Sequence, residues 1–399
     1  MNEQQAISEI KLLSAHFDKE IELLRQTLHK YPELSFDEKN TSERLKEKLH
    51  AHDIEFTTGW AGYGLIANLN PEAVEPFSIA IRADMDALPI HEQNKTSYTS
   101  CYPGIMHACG HDVHMAIVMG AAIVLNEMQL KPDRRLKILF QPAEEKLPGG
   151  ALKMIQQGAL RNPPVSSIFG LHVEPKMSVG HVGLCKGGFM ASSDEIYIRI
   201  VGKGGHAAQP KMTNNPIYAA SNLIQEMRSL PLLHEPTADT LLSFGRMNTD
   251  GGATNIVPET LTIEGTFRSL SETKRFIIHN ELKHVALKVE QVFAVQIELE
   301  IRKGYPSLYN DPELTQRSFD ACVSLLGEDS VHWINPRLTA EDFAYYSHEV
   351  PACFLRLGIG KDQGVHHPLF DVDERCLKVG VEVLSWMVCA ESSFQRQKA

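Results

Sequence analysis

Nine residues, Met106-His107-Ala108-Cys109-Gly110-His111-Asp112-Val113-His114, place a thiol, three imidazoles and a carboxylate between a Pro103-Gly104 turn and an apolar run. Thiolate and imidazole are metal ligands. With only Gly110 between them, Cys109 and His111 can turn both side chains to one centre on an extended or tightly turned backbone. Ligands distant in sequence complete such a centre, which predicts further carboxylates and imidazoles at strand ends. Asp84-Met85-Asp86 follows a strand expected over 78–83, and Glu144-Glu145 follows an apolar strand over 136–140 that Pro142 must end. His172 closes a strand over 167–171, and His366-His367-Pro368 lies beyond the Gly358-Ile359-Gly360 loop.

Cys109, His111, Glu145, His172 and either His366 or His367 exceed the four ligands of one tetrahedral ion. Two divalent ions sharing an anionic bridge, for which a thiolate qualifies, would accommodate them and leave open positions for a bridging water. Glu144 diverges from Glu145 on an extended segment and is the candidate general base toward that water. Asp86 is the candidate carboxylate for orienting a ligating imidazole. Amide hydrolysis needs a nucleophile at neutral pH, an electrophile for the carbonyl and a proton donor for the leaving amine. Two ions and Glu144 supply all three.

Simpler readings hold elsewhere. His107, His114 and His367 are expected to be ordinary solvated or hydrogen-bonded histidines. A Cys109–His111 thiol nucleophile is disfavoured, because the partners of such pairs come from separate elements. Residues 202–205 read as a turn, since no Gly-Lys-Ser/Thr run follows to make a phosphate loop.

Strands alternating with helices position these residues. Phe17, Ile21, Leu24 and Leu28 mark an amphipathic helix that Pro32 closes, and Ser35 with Glu38 suggests a capping box opening a second helix. Strands are expected at 64–69, 78–83, 136–140 and 167–171, and a helix over 115–128 is too apolar on all sides to lie at a surface. The result is an open α/β sheet with its ligands outside the carboxyl ends of the strands. The pattern changes near Ala191. A strand at 196–200, a helix at 216–229, strands at 240–246 and 259–268 around a Gly251-Gly252 turn, a helix at 272–292 and a strand at 296–302 give the β-α-β-β-α-β order of a ferredoxin-like domain. A helix at 312–326, a short one at 343–346, a strand at 352–357 and a helix at 374–389 return to the first domain. The expected organisation is a catalytic domain of residues 1–190 and 304–399 interrupted by a domain of residues 191–303.

The chain has 399 residues, a formal net charge of −11 and a pI near 5.9. No extended basic tract points to nucleic acid or an anionic membrane, so a small molecule or peptide is the expected partner. Seven scattered cysteines do not read as a disulfide framework. The polar N-terminus and the lack of a long apolar run give a cytoplasmic expectation.

His107-Ala108-Cys109-Gly110-His111-Asp112, Gln141-Pro142-Ala143-Glu144-Glu145, Gly204-Gly205-His206-Ala207-Ala208 and His366-His367-Pro368 follow one another over nearly the whole chain. Together they resemble the dinuclear metallo-amidohydrolases that include hippurate hydrolase, the auxin-amino-acid conjugate hydrolases and N-acetyldiaminopimelate deacetylase, relatives of aminoacylases and carboxypeptidase-G-like peptidases. The resemblance implies a zinc-peptidase-like catalytic domain with a central mixed sheet and an inserted ferredoxin-like lid through which two subunits dimerise. It implies Cys109 as the bridging ligand, His111 and His172 on one ion, Glu145 and His366 on the other, and Glu144 as the base. It further implies that His206 reaches the partner subunit's site to steady the oxyanion, and that Asn255 and Arg268 bind the substrate carboxylate. Zinc, manganese, nickel and cobalt all fit. The expected activity is cleavage of an N-acyl amino acid. A dipeptidase or carboxypeptidase with the same site is the alternative, and a non-catalytic binding protein on this fold is a third reading.

Overall fold

Apolar runs bounded by polar ends form the middle of an eight-stranded sheet in the computed structural model, which describes residues 3–73, 75–129, 132, 134–235, 239–251 and 253–398. Its strands lie in the order Glu55–Trp60, Gly64–Leu69, Arg135–Gln141, Ser78–Asp84, Val165–Glu174, Ala352–Gly358, Val182–Leu184 and Val331–Trp333. The four central strands are parallel, and antiparallel neighbours flank them on both sides. Ser78–Asp84 and Ala352–Gly358 are buried along their whole length, as expected of parallel strands covered on both faces. Glu55–Trp60 was not foreseen. It is a polar, largely exposed edge strand, with no apolar alternation to announce it.

Val182–Leu184 and Val331–Trp333 were not foreseen either, and two further departures from the sequence reading bear on the site. The 167–171 strand extends to Glu174, so His172 sits inside it, opposite Arg356 of Ala352–Gly358, and not beyond its end. The capping box does not form. The second helix, Lys39–Ala51, starts after Glu38, which makes no capping hydrogen bond. Glu33 accepts instead from the Asn40 and Thr41 amides at 3.1 and 2.7 Å, and the Ser35 hydroxyl donates to Asp86 Oδ2 at 2.6 Å. Buried carboxylates needing donors outcompete a local cap.

The helix His111–Glu127 is buried from His111 through Leu125 and packs on Ser78–Asp84 and on the helices Glu3–Lys30 and Arg375–Lys398. Its approach is close: a Cβ on Gly120 would stand 2.6 Å from Val381 and 2.7 Å from Ile21. Its first turn is fixed electrostatically. Buried Arg25 donates to Asp112 Oδ2 at 2.9 Å, and His29 meets the same oxygen at 2.8 Å and Glu92 at 3.1 Å.

By its internal contacts the chain divides into two units, one of residues 1–187, 309–335 and 345–399, the other of residues 188–308 and 336–344. The second unit has a four-stranded sheet ordered Thr240–Thr249, Thr260–Ser269, Asp194–Val201 and Gln296–Lys303, with every neighbouring pair antiparallel, and the helices Pro216–Arg228 and Glu272–Phe293. Numbered along the chain the strand order is 2-3-1-4, the ferredoxin-like arrangement. Ile196, Ile198 and Ile200 alternate inward as their spacing predicts. Residues 336–344 join this unit through backbone bonds from Arg337 to Phe189 and from Ala191 to Thr339. Gly252 of the expected glycine turn lies outside the described residues.

Fully buried Asp194 is the polar anchor of the second unit, accepting from Arg275 Nε at 2.9 Å, His279 Nε2 at 2.8 Å and the Gly304 amide at 3.1 Å. Burial pushes its carboxyl up, but the His279 and Arg275 hydrogen bonds prevail and hold it below its ordinary range. A depressed carboxyl stabilises fully above its unfolded value and loses that contribution as pH falls through the folded one. Asp194→Ala leaves His279 without its acceptor and Arg275 with only Glu272 and the Gly304 carbonyl, and is expected to cost about 3 kcal/mol. Urea unfolding at neutral pH measures the loss, and the gap between variant and wild type should narrow as the pH is taken below about 4.

Candidate metal centre

Strand ends, a helix start and a C-terminal loop bring the predicted ligands of the first unit together. Cys109, His111 and His172 offer ligand atoms within 4.8 Å of one another, and so do Cys109, Glu145 and His366. Cys109 is common to both trios. Its sulfur lies 3.3 Å from His172 Nε2, and His366 Nε2 lies 3.2 Å from Glu145 Oε1. His111, Glu144 and Glu145 form a further group within the same limit.

The backbone explains how neighbours in sequence aim at one point. Gly110, at φ +91°, caps the His111–Glu127 helix, and a Cβ there would stand 2.7 Å from Val173 Cγ2. Only glycine allows that turn between Cys109 and His111. Ala143 and His366 take φ of +56° and +64°, a left-handed conformation uncommon for residues with a side chain and found where a site needs it. The His366 amide donates to the Ala108 carbonyl at 2.7 Å, tying the C-terminal loop to the cysteine segment.

Hydrogen bonds also set the imidazole tautomers. His111 Nδ1 donates to the Asp86 carbonyl at 2.7 Å and His172 Nδ1 to the Val173 carbonyl at 2.8 Å, so in each ring Nε2 keeps its lone pair for the centre. His111 Nε2 is buried without a hydrogen-bond partner among the described residues. An orphaned imidazole nitrogen facing a thiol, a second imidazole and a carboxylate is a donor set suited to borderline divalent ions, so these residues fit the implied pair.

Before cations bind, the charges of the protein hold protons on part of this set. Burial, with Glu145 next, pushes the Cys109 thiol up. Burial works against His111 ionising, but Asp84 and Cys109 outweigh it and raise its pKa well above the ordinary value. Burial, Arg356 and His114 hold His172 well below it. Hydrogen bonds to Cys109 and Glu145 raise His366 to about 10. The centre thus includes ligands that hold protons, and binding of cations must release them.

Asp86 acts chiefly on the backbone. Its two oxygens accept the Glu144 and Glu145 amides, each at 2.9 Å, while Oδ1 stays 3.4 Å from His111 Nδ1. The imidazole is oriented by the carbonyl of Asp86 more than by its carboxylate. His114 is fully engaged, donating from Nδ1 to Asp84 at 2.7 Å and accepting the Val173 amide at 3.1 Å. His107 is buried, and burial brings it down to about 4. His367 Nδ1 accepts the Leu369 amide at 3.1 Å.

The remaining candidates belong to the second unit. His206 is exposed in the short strand Gly205–His206, which pairs with Ile256–Val257, and the Ala207 amide donates to the Asn255 carbonyl at 3.0 Å. That ribbon gathers His206 and Asn255. Arg268 lies apart from them in sequence on Thr260–Ser269, half-buried, donating to Thr266 Oγ1 and to the Phe267 carbonyl. Sequence reasoning missed Glu38, which accepts the Ala143 amide at 2.7 Å. Its only signal, three residues after Ser35, was read as a helix cap.

Known proteins resemble this chain in sequence and in fold. An N-acetyl-L-cysteine deacetylase of Bacillus subtilis is 36% identical over 90% of this chain and 85% of its own length. An N-acetyldiaminopimelate deacetylase of Streptococcus suis is 34% identical over 90% of this chain and 96% of its own. The crystal structure of a dinuclear metal-binding peptidase of the M20 family from Bacillus subtilis superposes with a TM-score of 0.84 at 30% identity, covering 95% of this chain and 99% of that one. The model of peptidase family M20/M25/M40 matches residues 80–389, a span containing every residue of the two ligand trios, and the chain therefore belongs to that family and is a hydrolase of amide bonds.

Proposed function

We propose that the protein hydrolyses the amide bond of an N-acyl amino acid, releasing the free amino acid and the acyl group as its acid. The observation that carries this reading is the pair of ligand trios sharing Cys109, with Glu144 held beside them by Asp86. Two divalent ions at the trios would bring the ionisation of water toward about pH 7 and draw charge from the amide carbonyl. Glu144, buried and next to the centre, takes the proton of the attacking water as the new C–O bond forms. It returns that proton to nitrogen as the C–N bond breaks. The deacetylase names of two relatives support N-acyl amino acids as substrates. The peptidase description of the superposed structure supports short peptides as the second reading.

His206, Asn255 and Arg268 are assigned to the oxyanion and the substrate carboxylate. In support, His206 Nδ1 accepts the Ala208 amide at 3.1 Å, which leaves Nε2 carrying the proton that an oxyanion would receive as a hydrogen bond. A homodimer through the second unit is part of the reading. Leu241 and Met247 are exposed on the edge strand Thr240–Thr249, as are Ile217 and Tyr218 on the helix Pro216–Arg228. Zinc, manganese, nickel and cobalt remain the candidate ions. No described helix is long and apolar enough to cross a membrane. A reducing, cytoplasmic setting suits the seven free cysteines.

Release of amino acid from N-acetyl, N-benzoyl and dipeptide substrates, by protein stripped of metal and then resupplied with each ion, tests the proposal. Metal-dependent release with N-acyl substrates ahead of dipeptides is the expected result. Release by the stripped protein would restore the thiol route, and none under any condition would favour a binding protein.

A further inference from the structure

Ala143, Glu144 and Glu145 present three consecutive amide donors, and two buried carboxylates accept all three. Asp86 takes those of Glu144 and Glu145, and Glu38 Oε1 takes that of Ala143 at 2.7 Å. Between these anchors Ala143 holds its left-handed φ of +56°, which a residue with a Cβ keeps only when its surroundings impose it. Pro142 has no amide N–H to contribute, so the Ala143 amide is the first backbone donor after the Arg135–Gln141 strand ends.

We propose that Glu38 is a positioning residue for Glu144: through the Ala143 amide it fixes the bend that aims the base at the reacting centre. The inference rests on the reading of Glu144 as base. Glu38 does not cap the helix that follows it, and its carboxyl faces the backbone amides of Phe36 and of Glu38 itself as well as that of Ala143, so it ties its own loop to the turn that carries Glu144. It is wholly buried, and its Oε2 has no partner among the described residues. Burial and the neighbouring Asp86 push its carboxyl up to about 8. Toward Ala143 it offers a single acceptor oxygen, a role that an amide side chain reproduces. The short segment before the helix strengthens the grip. Glu33 caps that helix through the Thr41 amide, its own carbonyl accepts the Ala87 amide at 2.8 Å, and Ser35 donates to Asp86. One stretch of chain thus supports both carboxylates that hold the turn.

The experiment compares Glu38→Gln and Glu38→Ala with the wild type, each loaded with the ion that gives highest turnover. Steady-state kinetics, bound metal per chain and hydrogen exchange of peptides covering residues 140–146 are measured. Glu38→Ala should lower kcat by about 10- to 100-fold, the scale of a displaced catalytic group, with KM and metal content near those of the wild type. Its turn should exchange faster while the rest of the chain does not. Glu38→Gln should restore both kcat, to within about threefold, and the exchange protection, because it keeps the acceptor.

Wild-type kcat and exchange in a folded Glu38→Ala would overturn the inference. So would loss of metal in step with kcat, which marks a scaffold role, or a Glu38→Gln as slow as alanine, which would require an ionised carboxylate. If the alanine variant does not fold, kcat and exchange in Glu38→Gln decide. Wild-type protein inactive on every substrate would sink the functional reading instead, and the exchange comparison would still show whether Glu38 holds the turn.

Discussion

Glu144→Ala is expected to lower kcat by about 10²- to 10⁴-fold, the range that a positioned general acid and base contributes. Both ligand trios remain whole in the variant, since Cys109, His111, His172, Glu145 and His366 are untouched. Bound metal should stay at the wild-type level and KM should change little. Glu144→Gln keeps the shape and the backbone bond to Asp86 but cannot take a proton, so it should fall as far as alanine. The pairing of the two variants matters, because a steric role would spare the glutamine enzyme. Steady-state kinetics with metal analysis on the same preparations gives the answer, and full turnover in either variant would end the mechanism proposed above.

Cys109→Ser is expected to strike both ions at once. Cys109 is the one side chain common to the two trios, and a serine hydroxyl in its place does not supply an anionic bridge at neutral pH. Loss of an outer-shell partner typically weakens metal affinity by about 10–100-fold, and loss of a shared ligand should exceed that. Turnover should fall in parallel and recover in part when the ion is raised. Competition with a chelator, read against activity at each free-metal concentration, separates the outcomes. A serine variant that binds both ions normally yet does not turn over would identify Cys109 as the nucleophile.

Much of this centre was legible before any coordinates. A buried parallel strand must end on residues that tolerate polarity, and so Asp86, Glu144 and Glu145 could be read as converging on one edge of a sheet. Gly110 between Cys109 and His111 announced the sharp turn that its φ of +91° realises. What escaped was pairing at a distance. Glu38 and Ala143 lie 105 residues apart, and nothing in either neighbourhood encodes the partner. Ser35 and Glu38 do carry a local signal, and it misled, because the energy of satisfying buried Asp86 and the Ala143 amide exceeds that of one helix cap. Asn255 and Arg268 had no signal in residue type or spacing, and only resemblance marked them.

The Ala352–Gly358 strand lies within the sheet, between Val165–Glu174 and Val182–Leu184, and the His366 amide closes on Ala108. On a ribosome this has a consequence for timing. The four strands and two helices of the second unit lie within residues 188–308 and can form while the rest of the chain is still being made. The metal centre cannot, because His366 emerges roughly 10–50 s after Cys109 at elongation rates of about 5–20 residues per second. From the emergence of Glu174 until that of Ala352–Gly358, Val165–Glu174 presents an edge with no neighbour on that side. The edge is therefore open to aggregation while the second unit is being made, and it is covered only a few residues before the chain delivers His366.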